Sequence, residues 1–187
     1  MTATLLVDKQ KVENPPLELH YLGDKVLRQP AKRIAKVDDS IRQLAKDMLQ
    51  TMYSSHGIGL AAPQVGINKQ LLVVDCEQDN PDAPPLIMIN PQITRMGKEL
   101  CIVEEGCLSI PNVYLDVTRP KVIEVSYKDE HGRPQKRQFA DLPSRVIQHE
   151  MDHLNGVMFV DRVTSALELA ESLKKEGFSI QAVKPIK

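Results

Sequence analysis

The spacing of apolar residues predicts an amphipathic helix early in the chain. Residues 38–40, Asp-Asp-Ser, form a capping sequence, and apolar residues then recur every three or four positions. These residues are Ile41, Leu44, Ala45, Met48, Leu49 and Met52. Side chains at this spacing lie on one face of a helix, so we expect the stripe to face the core.

Short apolar runs rich in β-branched residues predict several strands after this helix. The predicted strands are residues 70–75, 86–90, 99–103, 122–127 and 135–140. Residues 122–127 alternate between apolar and polar side chains, and residues 129–132 have a turn sequence. The last two strands are therefore expected to form a β-hairpin.

A second helix is predicted from about Leu142 to Leu154. Asp141 and Pro143 suit a first helical turn, and Asn-Gly at residues 155–156 suits the end of a helix. The apolar and reactive side chains of this helix lie on most of its sides, so little of its surface is left for solvent. We expect it to be central to the fold.

The order of predicted elements indicates an α+β fold. The first helix precedes the strands, and a short last helix is expected at residues 166–175. This order favours antiparallel or mixed β-sheets packed around the central second helix. The 187 residues suit a single domain over 1–187, in which residues 1–17 are expected to form a loosely held arm.

The charge balance argues against extended nucleic-acid binding. The chain has 24 Lys and Arg and 25 Asp and Glu residues, which leaves no basic footprint for a nucleic-acid backbone. No apolar run approaches membrane-spanning length, and the first residues fit neither a signal peptide nor a transit peptide. We expect a bacterial-type cytoplasmic protein without membrane contact, although a processed organelle protein would look the same.

The second helix carries a His-Glu-x-x-His pattern at His149, Glu150 and His153. Residues four apart lie on one face of a helix, so both imidazoles can reach one metal ion while Glu150 lies beside it. This arrangement predicts a metal-binding helix that activates water with a carboxylate base. The alternative is two hydrogen-bonded core histidines and a surface glutamate, because so short a pattern also arises by chance.

A catalytic metal usually has three protein ligands, so a third ligand must come from elsewhere. The three cysteines form an odd set without paired spacing, which indicates a reducing compartment. Cys76 and Cys101 adjoin apolar runs and are interpreted as buried side chains in strands. Cys107 lies among acids and a glycine, in a polar, turn-like setting, and is the candidate ligand.

Three segments together resemble the peptide deformylase family. They are residues 57–64 (GIGLAAPQ), 105–109 (EGCLS) and 148–153 (QHEMDH), and the likeness extends from about Leu19 to Val160. The resemblance implies a metal-dependent hydrolase that removes the N-formyl group from newly made polypeptides beginning with formyl-methionine, releasing formate. Jointly the three motifs are far more specific than the third alone.

The resemblance also implies roles for individual residues. The implied metal ligands are Cys107, His149 and His153, with Glu150 as acid and base and with the Gln64 side-chain amide and the Leu108 backbone N–H as oxyanion donors. The implied substrate-binding residues are Ile58, Gly59, Val103, Glu105, Gly106, Leu142, Arg145 and Val146. At Arg145 many relatives carry an apolar residue, and at Val146 some carry a cysteine.

The ligand chemistry and the resemblance differ on the metal. Cysteine and histidine by themselves favour zinc, whereas the resemblance implies one ferrous ion, with zinc, nickel or cobalt as substitutes. The implied partners are N-formyl-methionyl nascent peptides and, transiently, the ribosome where they emerge. The short basic stretches at residues 174–175 and 184–187 are only weak support for ribosome contact.

Two rival functions use the same histidines. A zinc endopeptidase would take Glu168 or Glu171 as third ligand and would leave the other two motifs unexplained. A structural metal module would need a fourth protein ligand, and its candidates lack motif-like spacing. Those candidates are His20, His56, Cys76 and Cys101.

Overall fold

The computed structural model describes residues 9–186 of the chain and confirms the predicted α+β fold. The helices are α1 (Asp39–Ser54), α2 (Asp141–Leu154) and α3 (Ala166–Lys175). The strands are β1 (Gly59–Ala61), β2 (Leu71–Val74), β3 (Leu86–Met96), β4 (Leu100–Cys107), β5 (Ile110–Pro120), β6 (Val122–Lys128) and β7 (Pro134–Ala140). The three predicted helices and the five predicted strands all occur, with shifts at their ends.

Five strands form an antiparallel sheet in the order β1-β2-β3-β6-β7. The β6–β7 pair is the predicted hairpin. Strand β3 runs on to Met96, past the predicted end at Asn90, although Pro91 lacks an N–H for the ladder. The register shifts between Ile89 and Gln92, so a bulge accommodates the proline. Because β1 pairs only with β2, its other side is a free sheet edge.

Strands β4 and β5 form a separate two-stranded hairpin. Strand β5 was not predicted, although Val113, Leu115 and Val117 alternate with exposed residues and are buried. Pro111 and Asn112 at its start resemble a turn, and the alternation begins only after them. Strand β4 also extends to Cys107, so this cysteine ends a strand and does not lie in a turn as predicted.

Helix α2 lies between the five-stranded sheet and the hairpin. Ile147 and Leu154 pack into the apolar cluster formed with the sheet, and ten of its 14 residues are buried. The helix begins at Asp141, whose φ of 54° lies in the left-handed region, and ends before Gly156. A Cβ at Gly156 would lie 2.7 Å from the carbonyl oxygen of Arg28, so the close approach requires glycine.

The predicted N-terminal arm falls partly outside the described residues, which begin at Lys9. Over residues 9–17 the chain follows the C-terminal half of α1, where Val12 N–H donates to Ser54 and Leu17 N–H donates to Thr51. Between residues 9 and 186, none of the helices has the length and apolar character that crossing a bilayer requires.

Candidate metal centre

Cys107, His149 and His153 come together at the junction of α2 with the hairpin. The two histidines face the end of β4 from successive turns of α2, and the bulge after Glu105 turns Cys107 towards them. The Nε2 atoms of the two histidines are 3.2 Å apart, and Cys107 Sγ lies 3.3 Å from His153 Nε2. All three potential ligand atoms lie within 4.8 Å of one another.

These separations suit a shared cation. In a tetrahedral site with bonds of about 2.0–2.1 Å to nitrogen and about 2.3 Å to sulfur, two nitrogens lie about 3.3 Å apart and nitrogen and sulfur about 3.5 Å apart. The two Nε2 atoms face each other at 3.2 Å, and a cation between them would remove the repulsion that they exert when both are unprotonated. One thiolate and two imidazoles are ligands that zinc and ferrous iron accept.

The carboxylate of Glu105 orients His149. Glu105 Oε2 lies 3.0 Å from His149 Nδ1, which fixes Nδ1 as the protonated nitrogen and leaves the Nε2 lone pair for a metal. Arg119 holds the same carboxylate with two hydrogen bonds of 2.6 and 2.9 Å, and Arg145 Nη1 adds a third at 2.6 Å. Glu105, predicted to bind substrate, is therefore also a partner of a candidate ligand.

Opposing effects act on the acid–base behaviour of this cluster. Burial would raise the pKa of Glu105, but the hydrogen bonds from Arg119 and His149 hold it well below its usual range. Burial would lower the pKa of His149, but its contacts with Cys107 and Glu105 raise it. The pKa of His153 is lowered by burial and by the charge of His149.

A second carboxylate continues the network behind the histidines. Asp152 accepts a hydrogen bond of 2.8 Å from Arg119 and two of 2.6 Å from Arg162. Arg119 and Glu105 have side chains only 2% and 5% exposed, so each charge depends on its partner for solvation. The sequence analysis did not predict this network. Its only local signal was the acid at Asp152 inside the His-Glu-x-x-His motif.

Glu150 is buried beside the candidate ligands, on the cleft side of α2. Its Oε2 atom has no hydrogen-bond partner within residues 9–186, and burial raises the pKa of the carboxyl to about 7. Its Oε1 atom lies against Gly59, where a Cβ would be only 2.5 Å away. The glycine therefore allows the carboxylate to lie directly under the free edge of β1.

The predicted oxyanion donors flank Cys107. Gln64 is buried and its Nε2 lies 3.5 Å from Cys107 Sγ and 3.3 Å from Ser109 Oγ, while its Oε1 accepts from the Ala61 N–H at 2.8 Å. The amide is thus fixed with its N–H groups towards the candidate metal ligands. Leu108 follows Cys107 directly, in the two-residue turn between β4 and β5.

A cleft of about 670 Å³ opens onto these groups. The predicted site residues that line it are Ile58, Gly59, Gln64, Glu105, Gly106, Cys107, Leu108, Leu142, Arg145, Val146, His149 and Glu150. Two predicted site residues are not in the lining: His153, which is buried behind His149, and Val103, which is 47% exposed on β4. The lining also contains Tyr21 and Tyr114, which the sequence analysis did not single out.

Arg145 crosses from α2 to the hairpin. Besides Glu105, it donates to the carbonyl oxygens of Val117 and Cys101 at 2.9 and 2.8 Å. Its Nη2 also lies 3.2 Å from Cys101 Sγ, so the half-buried Cys101 has a polar neighbour and is not the simple hydrophobe that was predicted. The guanidinium therefore connects β4 and β5 to α2.

The geometry does not support the rival sites. Among the described residues, Cys107, His149 and His153 are the one group of three or more His, Cys, Asp or Glu side chains whose ligand atoms converge. The endopeptidase interpretation requires Glu168 or Glu171 as the third ligand, and neither belongs to this group. The group also lacks a fourth side chain of the kind that a structural metal site needs.

The comparisons with known proteins agree on one family. The sequence profile of the polypeptide deformylase family matches residues 16–168. The chain is 84% identical to a peptide deformylase of Synechocystis sp. over the full length of both, and 68% identical to peptide deformylase 1 of Nostoc sp., again over both full lengths. It is also similar to the crystal structure of a Synechococcus elongatus peptide deformylase in complex with actinonin. There the identity is 63% and the TM-score 0.95, with 96% of this chain and 98% of that one covered.

Proposed function

The chain belongs to the polypeptide deformylase family, whose members remove the N-formyl group from nascent peptides, and we propose specific roles for the residues of its site. Cys107, His149 and His153 would hold the divalent metal on which this family depends. The bound ion would lower the pKa of water and draw electron density from the formyl carbonyl. The observation that carries the proposal is the convergence of these three ligand atoms beside a buried, unpartnered carboxylate oxygen.

In this proposal Glu150 moves the proton. A group with a pKa of about 7 can accept a proton from the attacking water and return it to the departing amine at neutral pH. Its position under Gly59 places it between the candidate ligands and the sheet edge, so both transfers can occur without movement of the helix.

Gln64 and Leu108 would stabilise the negative charge that develops on the formyl oxygen. The support is the fixed orientation of the Gln64 amide, whose Oε1 is held by the Ala61 N–H. A donor that is already oriented costs little reorganisation when charge develops. The weak 3.5 Å contact from Gln64 Nε2 to Cys107 Sγ can be exchanged for a stronger one to the substrate oxygen.

The substrate would bind as an extended peptide along the free edge of β1. Ile58 and Gly59 line the cleft at this edge, and the absence of a side chain at Gly59 lets another backbone approach. Leu142 and Val146 supply an apolar wall on the α2 side for the methionine side chain. A formyl carbon bears only hydrogen, so the cramped space near Glu150 favours it over acetyl.

The finer identity of the metal and the cellular setting are also proposals. We infer that ferrous iron is the working metal and that zinc, nickel or cobalt can occupy the same ligands, since both imidazole and thiolate accept these ions. We further infer a bacterial-type cytoplasmic enzyme that meets its substrates at the ribosome. The support for the setting is the substrate class of the family and the bacterial relatives.

A direct assay tests the proposed reaction. Anaerobically purified protein is expected to release formate from formyl-Met-Ala-Ser and to leave the peptide bonds of an internal, blocked peptide intact. Formate release and chain cleavage are measured in parallel. Cleavage of the internal peptide without formate release would instead establish the endopeptidase function.

Substitution of Gln64 tests the oxyanion proposal. Gln64→Leu is expected to lower kcat by about 10²-fold, because one fixed donor to the developing charge is lost. The affinity for a non-hydrolysable peptide should change little, since the donor acts mainly in the transition state. Metal content measured on the same sample must equal that of the wild type. An unchanged kcat would exclude this role for Gln64.

A further inference from the structure

Lys9, the first described residue of the N-terminal arm, has an ammonium group that is enclosed by oxygen atoms. Lys9 Nζ lies 2.8 Å from the carbonyl oxygen of Ala83, 3.0 Å from that of Asn80 and 3.1 Å from that of Glu77. The carboxylate of Asp75 completes the set at 2.9 Å. The ammonium thus ties residues 75–83, the loop after β2, to the arm.

This loop in turn holds the backbone that enters β1. Gln78 Nε2 donates to the carbonyl oxygen of Gly57 at 2.7 Å, and the Asp75 N–H donates to that of Ile58 at 2.9 Å. Gly57 and Ile58 both line the cleft, directly before the free sheet edge at Gly59. No helix or strand spans Gly57 and Ile58, so the loop contacts fix their carbonyl groups.

A second arm lysine contacts the same segment. Lys11 Nζ lies 2.9 Å from each ring nitrogen of His56, another residue of the cleft lining. His56 has a φ of 61°, in the left-handed region that a non-glycine residue adopts only with support from its surroundings. The arm therefore contacts the segment before β1 directly through Lys11 and indirectly, through the 75–83 loop, by Lys9.

We propose that residues 9–17 of the arm are a brace for the peptide-binding edge, and that Lys9 is a positioning residue that acts through the 75–83 loop and Gln78 on Gly57. The brace does not touch the reacting atoms. It keeps the edge in the conformation that an extended peptide needs. The edge then loses little conformational entropy when the substrate binds. This inference rests on the proposed binding of peptide along β1.

The brace predicts a change in KM and not in kcat. Lys9→Met keeps the length of the side chain and removes the ammonium. It is expected to raise KM for formyl-Met-Ala-Ser about three- to tenfold, because the competent edge is less populated, with kcat within about twofold of wild type. Lys174→Met, in a helix none of whose residues lines the cleft, removes the same charge and should leave both constants unchanged.

Hydrogen exchange tests the brace without reference to activity. In Lys9→Met the amides of Gly57 and Asp75 are expected to exchange faster than in wild type, while those of Leu72 and Val73 inside the sheet should not change. Unchanged exchange at Gly57 and Asp75 would overturn the brace, whatever the kinetics. If wild-type protein releases no formate, the proposed function fails, and the exchange experiment still decides the brace.

Three further variants test the route from Lys9 to Gly57. Gln78→Leu should raise KM to a similar extent, and the double variant with Lys9→Met should be no worse than either single one, since both break the same connection. For Lys9→Ala, propylammonium chloride should restore KM where potassium chloride at equal ionic strength does not. Additive effects, or equal rescue by potassium, would contradict the specific ammonium contact.

Discussion

Glu150→Gln is expected to keep the metal and to lose about 10²–10⁴-fold in kcat/KM, because it removes the proposed proton carrier while leaving the three candidate ligands in place. Glutamine has nearly the shape of glutamate, so the contact with Gly59 is preserved. Only the ability to take a proton from water and return it to the amine is lost. The measurement is formate release from formyl-Met-Ala-Ser, with metal content determined on the same sample.

The matched control for this variant is Glu168→Gln. Glu168 is exposed on α3 and was the alternative third ligand of an endopeptidase, so its substitution removes the same charge and tests the rival function at once. Wild-type activity is expected. If instead Glu150→Gln turned over substrate at the wild-type rate, the assignment of Glu150 would fail. Loss of metal in that variant would show a ligand role in place of a proton-carrying one.

The burial of Glu150 explains why this carboxyl group suits both proton transfers. An exposed glutamate has a pKa of about 4.3 and would be a poor proton donor at neutral pH. Burial under the sheet edge raises the pKa of Glu150 to about 7, close to neutral pH. The same burial would destabilise the unpaired carboxylate of Glu150. The reactivity of this group therefore comes at some cost in folding stability.

The parts of the site that were predictable are those with a local pattern. His149, Glu150 and His153 are fixed by helical spacing, and helix spacing depends only on nearby residues. Cys107 could be chosen because its acidic and glycine neighbours differ from those of the other cysteines. Its true position at the end of β4 was missed, since a strand can run through polar residues when a partner strand pairs with its backbone groups.

The parts that were not predictable depend on contacts between distant residues. Glu105 accepts hydrogen bonds from Arg119, which is 14 positions away in the chain, and from Arg145, which is 40 positions away. Nothing in the sequence near Glu105 indicates these partners. Lys9 meets Ala83 across 74 positions. Such pairs are specified by the packing of elements that are distant in the chain, which no periodicity encodes.

The buried ion pairs around Glu105 serve geometry more than stability. A well-packed apolar cluster of similar volume is often as stable as a buried ion pair, whereas removal of one partner costs about 3–5 kcal/mol. The gain is orientation, because two arginines fix the carboxylate that in turn fixes His149. His153 has no such partner, and its Nδ1 is unpaired within residues 9–186. We therefore expect Cys107 and His149 to define the metal position.

Cys107→Ser is expected to weaken metal binding by more than about 10²-fold, a loss larger than that from altering a residue that only orients a ligand. The reason is that a serine hydroxyl does not ionise near neutral pH as a thiol can, so the anionic ligand is lost. Metal content after anaerobic purification and dialysis measures the effect, together with formate release before and after metal is added back. Cys76→Ser, which alters another half-buried thiol away from the cleft, is the control and should retain both the metal and the wild-type kcat. Full metal occupancy and wild-type turnover in Cys107→Ser would mean that the thiolate is not a ligand, and the three-residue metal centre would have to be abandoned.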